Sequence, residues 1–170
     1  MGFNPRLEKI LQDFIRLTCE ADEIGIRLSI IGGIPVWEPS PSLRHQITFR
    51  RIENSITPRD GATVIHATDV NTRLADDSHG RPDISIWTGE PEQDTEVTLQ
   101  PDAVVEVICK DYEAKDLLIG VPFYRRVGIP DVLVFDPQTN IVRHWRNGGN
   151  EKSYPSPVML DLLCGCSITV

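Results

Sequence analysis

Apolar residues in the first third of the chain follow two helical patterns separated by a hairpin pattern. After Asn4-Pro5, which is typical of a helix start, a helix over residues 4–20 is predicted by the apolar positions Leu7, Ile10, Leu11, Phe14 and Leu17. Residues 26–31 and 34–37 are apolar runs joined by Gly32-Gly33, a pair suited to the tight turn of a β-hairpin. Ser42 can cap the next helix. That helix is predicted to turn Leu43, Ile47, Ile52 and Ile56 inward and Arg44, His45, Thr48 and Arg51 outward.

The rest of the chain has the short apolar runs of β-strands. They cover residues 62–70, 83–87, 103–109, 130–135 and 141–145, and residues 167–170 are predicted as an edge strand. Residues 89–100 are nearly all polar and are predicted to form a surface loop. A helical stretch over residues 111–127 lies between two strands and indicates a βαβ crossover. The predicted fold is α/β (α+β), one domain over residues 1–170 with a mixed central sheet flanked by helices.

Two carboxylates interrupt the apolar strands. Asp83 opens one run and Glu106 lies in the middle of another. A carboxylate buried without a partner costs several kcal/mol, so each needs a cation, a metal ion or hydrogen-bond donors. Carboxylates on neighbouring strands suit Mg²⁺ or Mn²⁺. The alternative is structural, with Glu106 paired to an arginine or capping a helix.

Composition limits the function classes. The 170 residues carry a net charge of −8, which disfavours non-specific attraction to nucleic acid but allows a local basic groove. Basic residues cluster in three places, each of which could be a solvated helix face or a binding patch: Arg44, His45, Arg50 and Arg51; Lys110 and Lys115; and Arg125 and Arg126. The apolar runs are too short to span a membrane, and a cytoplasmic location without membrane contact is expected. The four histidines are far apart, the four cysteines include no CxxC pair, and no nucleotide-binding or serine-hydrolase motif occurs.

The ordered motifs of the chain resemble the Uma-type restriction endonuclease family, formerly a domain of unknown function, within the PD-(D/E)XK nuclease superfamily. The resemblance covers the chain from about residue 26 onward. It is carried by Gly33-Ile34-Pro35-Val36, Pro39-Ser40-Pro41-Ser42, His45-Gln46, Arg81-Pro82-Asp83, Pro101-Asp102 with Ala103-Val104-Val105-Glu106-Val107-Ile108, Asp116, Tyr124, Gly128-Ile129-Pro130 and Val134-Phe135-Asp136-Pro137.

The resemblance implies a restriction endonuclease-like fold and a site for Mg²⁺ or Mn²⁺ at Asp83 and Glu106, with Asp102 or Asp116 assisting. It also implies a catalytic lysine, and here the chain departs from the family. Ile108 occupies the superfamily position, and Gly120 occupies the position of the family's lysine on the following helix.

The departure leaves two lysines that could act instead. Lys110 follows the Glu106 strand and is expected beside the acids as the catalytic lysine, whereas Lys115, next to Asp116, is expected to point to solvent. Two functions follow. One is a Mg²⁺-dependent DNA endonuclease using Asp83, Glu106 and Lys110. The other is a catalytically inactive nuclease-fold protein that serves as a binding or assembly module. DNA is the partner that the resemblance implies, and a homodimer is compatible with it.

Overall fold

In the computed structural model, residues 26–38, 41–91, 97–110 and 113–170 are described throughout, together with residues 9, 13, 16–21 and 23–24. Residues 16–21 are helical, and most of the remaining predicted N-terminal helix lies outside the described residues. No helix among the described residues is long and apolar enough to cross a membrane.

The predicted hairpin is confirmed as two strands of a four-stranded antiparallel sheet. Gly32 and Gly33 have positive φ values of 59° and 76°, as the tight turn requires. The sheet order is β2-β1-β6-β5. Its strands are β1 (Arg27–Ile31), β2 (Ile34–Glu38), β5 (Thr72–Ala75) and β6 (Ser78–Gly80). The last two strands were not predicted, because their buried side chains include the polar residues Thr72, Ser78 and His79, which give no apolar pattern in the sequence.

The predicted mixed sheet is the six-stranded centre of the molecule, in the order β11-β10-β9-β8-β7-β4. Strands β8 and β9 pair in parallel, and the other neighbours pair antiparallel. The strands are β4 (Ile65–Thr68), β7 (Ile84–Trp87), β8 (Ala103–Val107), β9 (Asp131–Asp136), β10 (Ile141–Arg146) and β11 (Lys152–Pro155).

The connection from β8 to β9 is the predicted crossover, but its helix is not uniform. A π-helical turn, Lys115–Gly120, runs directly into α2 (Val121–Val127), and Gly128 ends the helix in the left-handed conformation. Pro122 has no backbone N–H to give to the preceding turn, which accounts for wider winding just before it. Val121 and Tyr124 are buried against the sheet, and Arg125 and Arg126 are exposed, as in a helix that covers a sheet with one face.

Helix α1 (Leu43–Glu53) covers the other side of the central sheet, together with a three-stranded sheet in the order β12-β13-β3. The strands are β3 (Thr57–Pro58), β12 (Met159–Asp161) and β13 (Cys166–Thr169). The C-terminal strand β13 pairs on both sides, so its prediction as an edge strand is wrong.

Alternate residues of the central strands enter two separate cores. Ala103, Val105 and Val107 of β8 pack with α1 and the three-stranded sheet, whereas Val104 packs with α2. This alternation follows from the two-residue period of a strand. Glu106 therefore points to the α2 side of the sheet.

Candidate active site

Asp83 and Glu106 face each other across two antiparallel strands. The pairing of Ile84 with Val105 continues by one residue to bring Asp83 opposite Glu106. Residues opposite each other in such a pair project from the same face of the sheet. The Asp83 backbone N–H points to Glu106 Oε2 across 3.4 Å. The two sequence-predicted acids thus form one site at the end of β8.

Glu106 is the buried member of this pair, with 3% of its surface exposed. The Tyr124 hydroxyl donates a hydrogen bond of 2.5 Å to Glu106 Oε1. Burial raises the pKa of Glu106 well above its ordinary value; the charge of Lys115 opposes this, and the charges of Asp83 and Asp116 add to it. Burial therefore makes the charged form of Glu106 costly, and a nearby positive charge offsets that cost.

Asp83 is the accessible member, with its side chain 19% exposed. Its Oδ2 atom accepts a hydrogen bond of 2.7 Å from the Val107 backbone N–H and lies 3.1 Å from His45 Nε2. The same His45 nitrogen lies 2.8 Å from the Val107 carbonyl oxygen. Since both oxygens accept, Nε2–H donates to them together, and this bond fixes the orientation of the Asp83 carboxylate.

The prediction that His45 faces outward is wrong: it is 8% exposed, whereas Leu43 and Ile47, predicted inward, are 73% and 51% exposed. Helix α1 turns His45 and Ile52 toward the sheet instead. Burial alone would lower the pKa of His45, but the hydrogen bond and charge of Asp83, with a further contribution from Cys109, raise it to about 10. His45 is therefore an imidazolium at neutral pH, and its ion pair with Asp83 offsets the cost of its burial.

The lysine next to the acids is Lys115. Its side chain is 22% exposed, and its Nζ lies 3.3 Å from Asp116 Oδ1, so the expectation that it points to solvent is wrong. The positive charge of Lys115 also lowers the pKa of Glu106, against the effect of burial. Lys110 is exposed in the turn that follows β8. The catalytic role predicted for Lys110 stays a prediction, and the geometry favours Lys115 for it.

The two assisting acids lie in different surroundings. Asp116 is buried in the π-helical turn beside Lys115. Asp102 accepts bonds of 2.7 and 2.8 Å from the backbone N–H and the hydroxyl of Thr88, so it holds the end of β7. Asp116 is thus the acid that joins the Asp83 and Glu106 site.

The donors at the site suit a hard cation. Asp83 and Glu106 supply carboxylate oxygens, which Mg²⁺ and Mn²⁺ prefer, and Mg²⁺ is commonly held by one or two carboxylates with water and substrate phosphate completing its shell. Within the described ranges, no group of three or more His, Cys, Asp or Glu side chains is arranged to hold a metal ion. Asp83 and Glu106 are therefore the residues that could hold such a cation.

Comparison with known proteins shows the fold and the family of this chain. A crystal structure of a putative nuclease belonging to DUF820 from Anabaena variabilis ATCC 29413 is similar in fold, with a TM-score of 0.62 and 15% identity over 79% of this chain and 80% of that chain. No curated protein matches the sequence. The family model of Uma2, described as a putative restriction endonuclease, matches residues 11–164. This match spans most of the chain, and the chain belongs to the Uma2 family.

Proposed function

We propose that this protein is a nuclease that hydrolyses phosphodiester bonds of DNA at the Asp83 and Glu106 pair. The observation that carries the proposal is the pairing of an accessible carboxylate with a buried one at the end of β8, where the charge of Lys115 from the crossover acts on the buried Glu106. This combination can hold a divalent cation and stabilise developing negative charge on a phosphate. Family membership supports the same chemistry.

Each residue of the site has a distinct role in this proposal. Asp83 and Glu106 would hold Mg²⁺ or Mn²⁺, which when bound stabilises negative charge on the phosphodiester. The Lys115 Nζ atom lies 3.3 Å from Asp116 Oδ1, an ion pair that orients the ammonium, and its positive charge acts on Glu106. Tyr124 fixes the Glu106 carboxylate through its hydroxyl. These contacts hold the site rigid before substrate arrives, which reduces the reorganisation needed during the reaction.

His45 is a positioning residue for Asp83. It donates to Oδ2, the same oxygen that accepts from Val107 N–H, so these bonds leave Oδ1 to face a ligand. Partners of this kind orient carboxylate ligands, and their loss typically lowers metal affinity or activity about 10- to 100-fold.

The second candidate function is a catalytically inactive nuclease fold that binds a partner. The observation favouring it is that Ile108 and Gly120 occupy the two positions where the family resemblance expects lysine. A Cβ atom at Gly120 would lie 3.6 Å from Tyr124 Cε2, so this position is next to the tyrosine that bonds Glu106.

Incubation with supercoiled plasmid and with linear single-stranded DNA, in Mg²⁺ and separately in Mn²⁺, separates the two functions. Asp83→Asn and Glu106→Gln are the site variants, and Asp161→Asn, an exposed acid in β12, is the matched control. The nuclease proposal predicts metal-dependent cleavage by the wild type and the control, with loss in both site variants. If the DNA stays intact in every reaction although the wild-type protein is folded, the nuclease proposal is contradicted and the binding-module function is favoured.

A further inference from the structure

We propose that the outer face of α1 is the surface that binds the backbone of duplex DNA and directs it to the Asp83 and Glu106 site. The inference deepens the proposed nuclease function and rests on it. It is carried by three arginines on one helix, by a groove beside them and by the connection of that groove to the site.

The arginines of α1 lack carboxylate partners in the part of the chain that the structure describes. Arg44, Arg50 and Arg51 are all exposed, and none forms an ion pair there. Most other described arginines have a carboxylate partner, such as Arg143 with Glu151 at 3.9 Å; in α2, Arg125 bonds carbonyl oxygens and Arg126 contacts an aromatic ring instead. In a chain of net charge −8, three unpaired cations on one short helix form a local positive surface, which fits a polyanion.

The spacing of these side chains fits an extended ligand. Arg44, Thr48 and Arg51 are separated by four and three residues, which puts them in one row on the helix. Arg44 and Arg51 are seven residues apart, a rise of about 10 Å along the axis. The row lines a groove of about 700 Å³, whose opposite wall includes Phe135 and Pro137.

Two contacts connect this groove to the carboxylates. His45 follows Arg44 on α1 and reaches Asp83 Oδ2 from the inner side of the helix. Phe135, in the opposite wall, is paired in register with Val107, whose carbonyl oxygen accepts from His45. A phosphate backbone bound by the arginine row would therefore lie on the α1 side of the strand end whose α2 side carries Glu106, with Asp83, which contacts both His45 and Glu106, between them.

The exposed apolar residues of α1 agree with a binding surface. Leu43 and Ile47, on the same side of the helix, also line the groove. A purely apolar surface would favour a protein partner. The three arginines, which have no carboxylate partner among the described residues, favour phosphate, because phosphate contacts by Arg and Lys supply most non-specific affinity for DNA.

The test is the salt dependence of duplex binding, measured by fluorescence anisotropy in EDTA so that cleavage is not needed. Arg44→Gln with Arg51→Gln forms the test variant. Arg126→Gln with Lys152→Gln, which removes two exposed charges outside the groove, forms the control. The slope of log K against log salt is negative, and each lost phosphate contact reduces its magnitude by about 0.9. The slope of the test variant should therefore be smaller in magnitude by about 1.8, and the slope of the control should match that of the wild type.

Between about 50 mM and about 200 mM salt, the wild type should lose affinity more steeply than the test variant. Equal slopes for both would overturn the inference, as would tighter binding of single-stranded than duplex DNA or no duplex binding by the wild type at the lower salt. The nuclease proposal can fail separately. If the wild-type protein binds duplex DNA through these arginines but never cleaves it, the binding surface is supported and the nuclease proposal is contradicted.

Discussion

The Tyr124 hydroxyl lies 2.5 Å from Glu106 Oε1, in the buried layer between α2 and β8. Helix α2 therefore does more than cover the sheet. It gives the buried carboxylate a donor that opposes the effect of burial on its pKa. The same crossover supplies Lys115 and Asp116, so a single connection between two parallel strands supports three groups of the candidate site.

Replacement of Tyr124 by phenylalanine tests this support. The variant keeps the ring and its packing but leaves Glu106 Oε1 without its donor, and metal-dependent cleavage should fall about 10- to 100-fold. Plasmid cleavage rates at several metal concentrations measure the effect. Tyr154→Phe in β11 is the matched control and should cleave at the wild-type rate. Equal rates for both variants would show that Tyr124 has no role in positioning Glu106.

Removal of His45 should destabilise the fold as well as the site. His45→Ala leaves the Val107 carbonyl and the Asp83 carboxylate without a shared donor, and an unsatisfied buried group costs about 1 to 3 kcal/mol. Urea unfolding gives the free energy of unfolding directly. His66→Ala removes a partly exposed histidine that pairs with Glu53 across 3.3 Å, and it should cost no more than about 1 kcal/mol. A His45 variant as stable as this control would contradict the assigned contacts.

The sequence predicts the elements that carry continuous apolar runs. Strands β7, β8, β9 and β10, the crossover and the hairpin all follow from such runs and from their turn residues. The prediction that Asp83 and Glu106 come together also follows, because their strands are neighbours. The strands with polar inward residues, β5 and β6, could not be found in this way.

The orientation of α1 could not be predicted for a different reason. Leu43 and Ile47 suggested one inward face, whereas His45, Phe49 and Ile52 form the actual one. His45 is buried because of an Asp83 partner 38 residues away in sequence, which no local pattern reveals. The four- and three-residue spacing of His45, Phe49 and Ile52 is compatible with one helix face, but it does not identify the partner that makes burial of His45 favourable.

A second buried charged group lies outside the candidate site and is structural. Asp131 is fully buried, and its Oδ1 accepts from His144 at 2.7 Å and from Arg146 at 2.9 Å. Its Oδ2 accepts from the Leu163 backbone N–H at 2.7 Å, which ties β9 to the chain before β13. Asp131→Asn should lower the free energy of unfolding by about 1 to 3 kcal/mol, since the single acceptor oxygen of the amide cannot serve the donors on both sides and leaves a buried donor unsatisfied. Asp161→Asn at an exposed position is the control.

The pH dependence of stability should change with the same variant. Burial would raise the pKa of Asp131, but the bonds from His144, Leu163 and Arg146 outweigh it and hold the pKa below its usual value. The ionised form therefore contributes its full stability above the unfolded pKa of about 3.9, and the contribution is lost as the pH falls through the folded pKa. Urea unfolding from about pH 5 downward should show the wild type approaching Asp131→Asn. A constant difference between them over this range would contradict the lowered pKa.

The most direct measurement for the whole account compares cleavage by Lys115→Met and Lys110→Met in Mg²⁺ or Mn²⁺, with thermal unfolding to confirm that both variants fold. Lys115 lies beside Asp116 and its charge lowers the pKa of Glu106, whereas Lys110 is exposed. We expect Lys115→Met to lose about 100-fold or more in cleavage rate, as for the loss of one group that stabilises transition-state charge, and Lys110→Met to retain the wild-type rate. Full activity in Lys115→Met, or loss only in Lys110→Met, would contradict the proposed site.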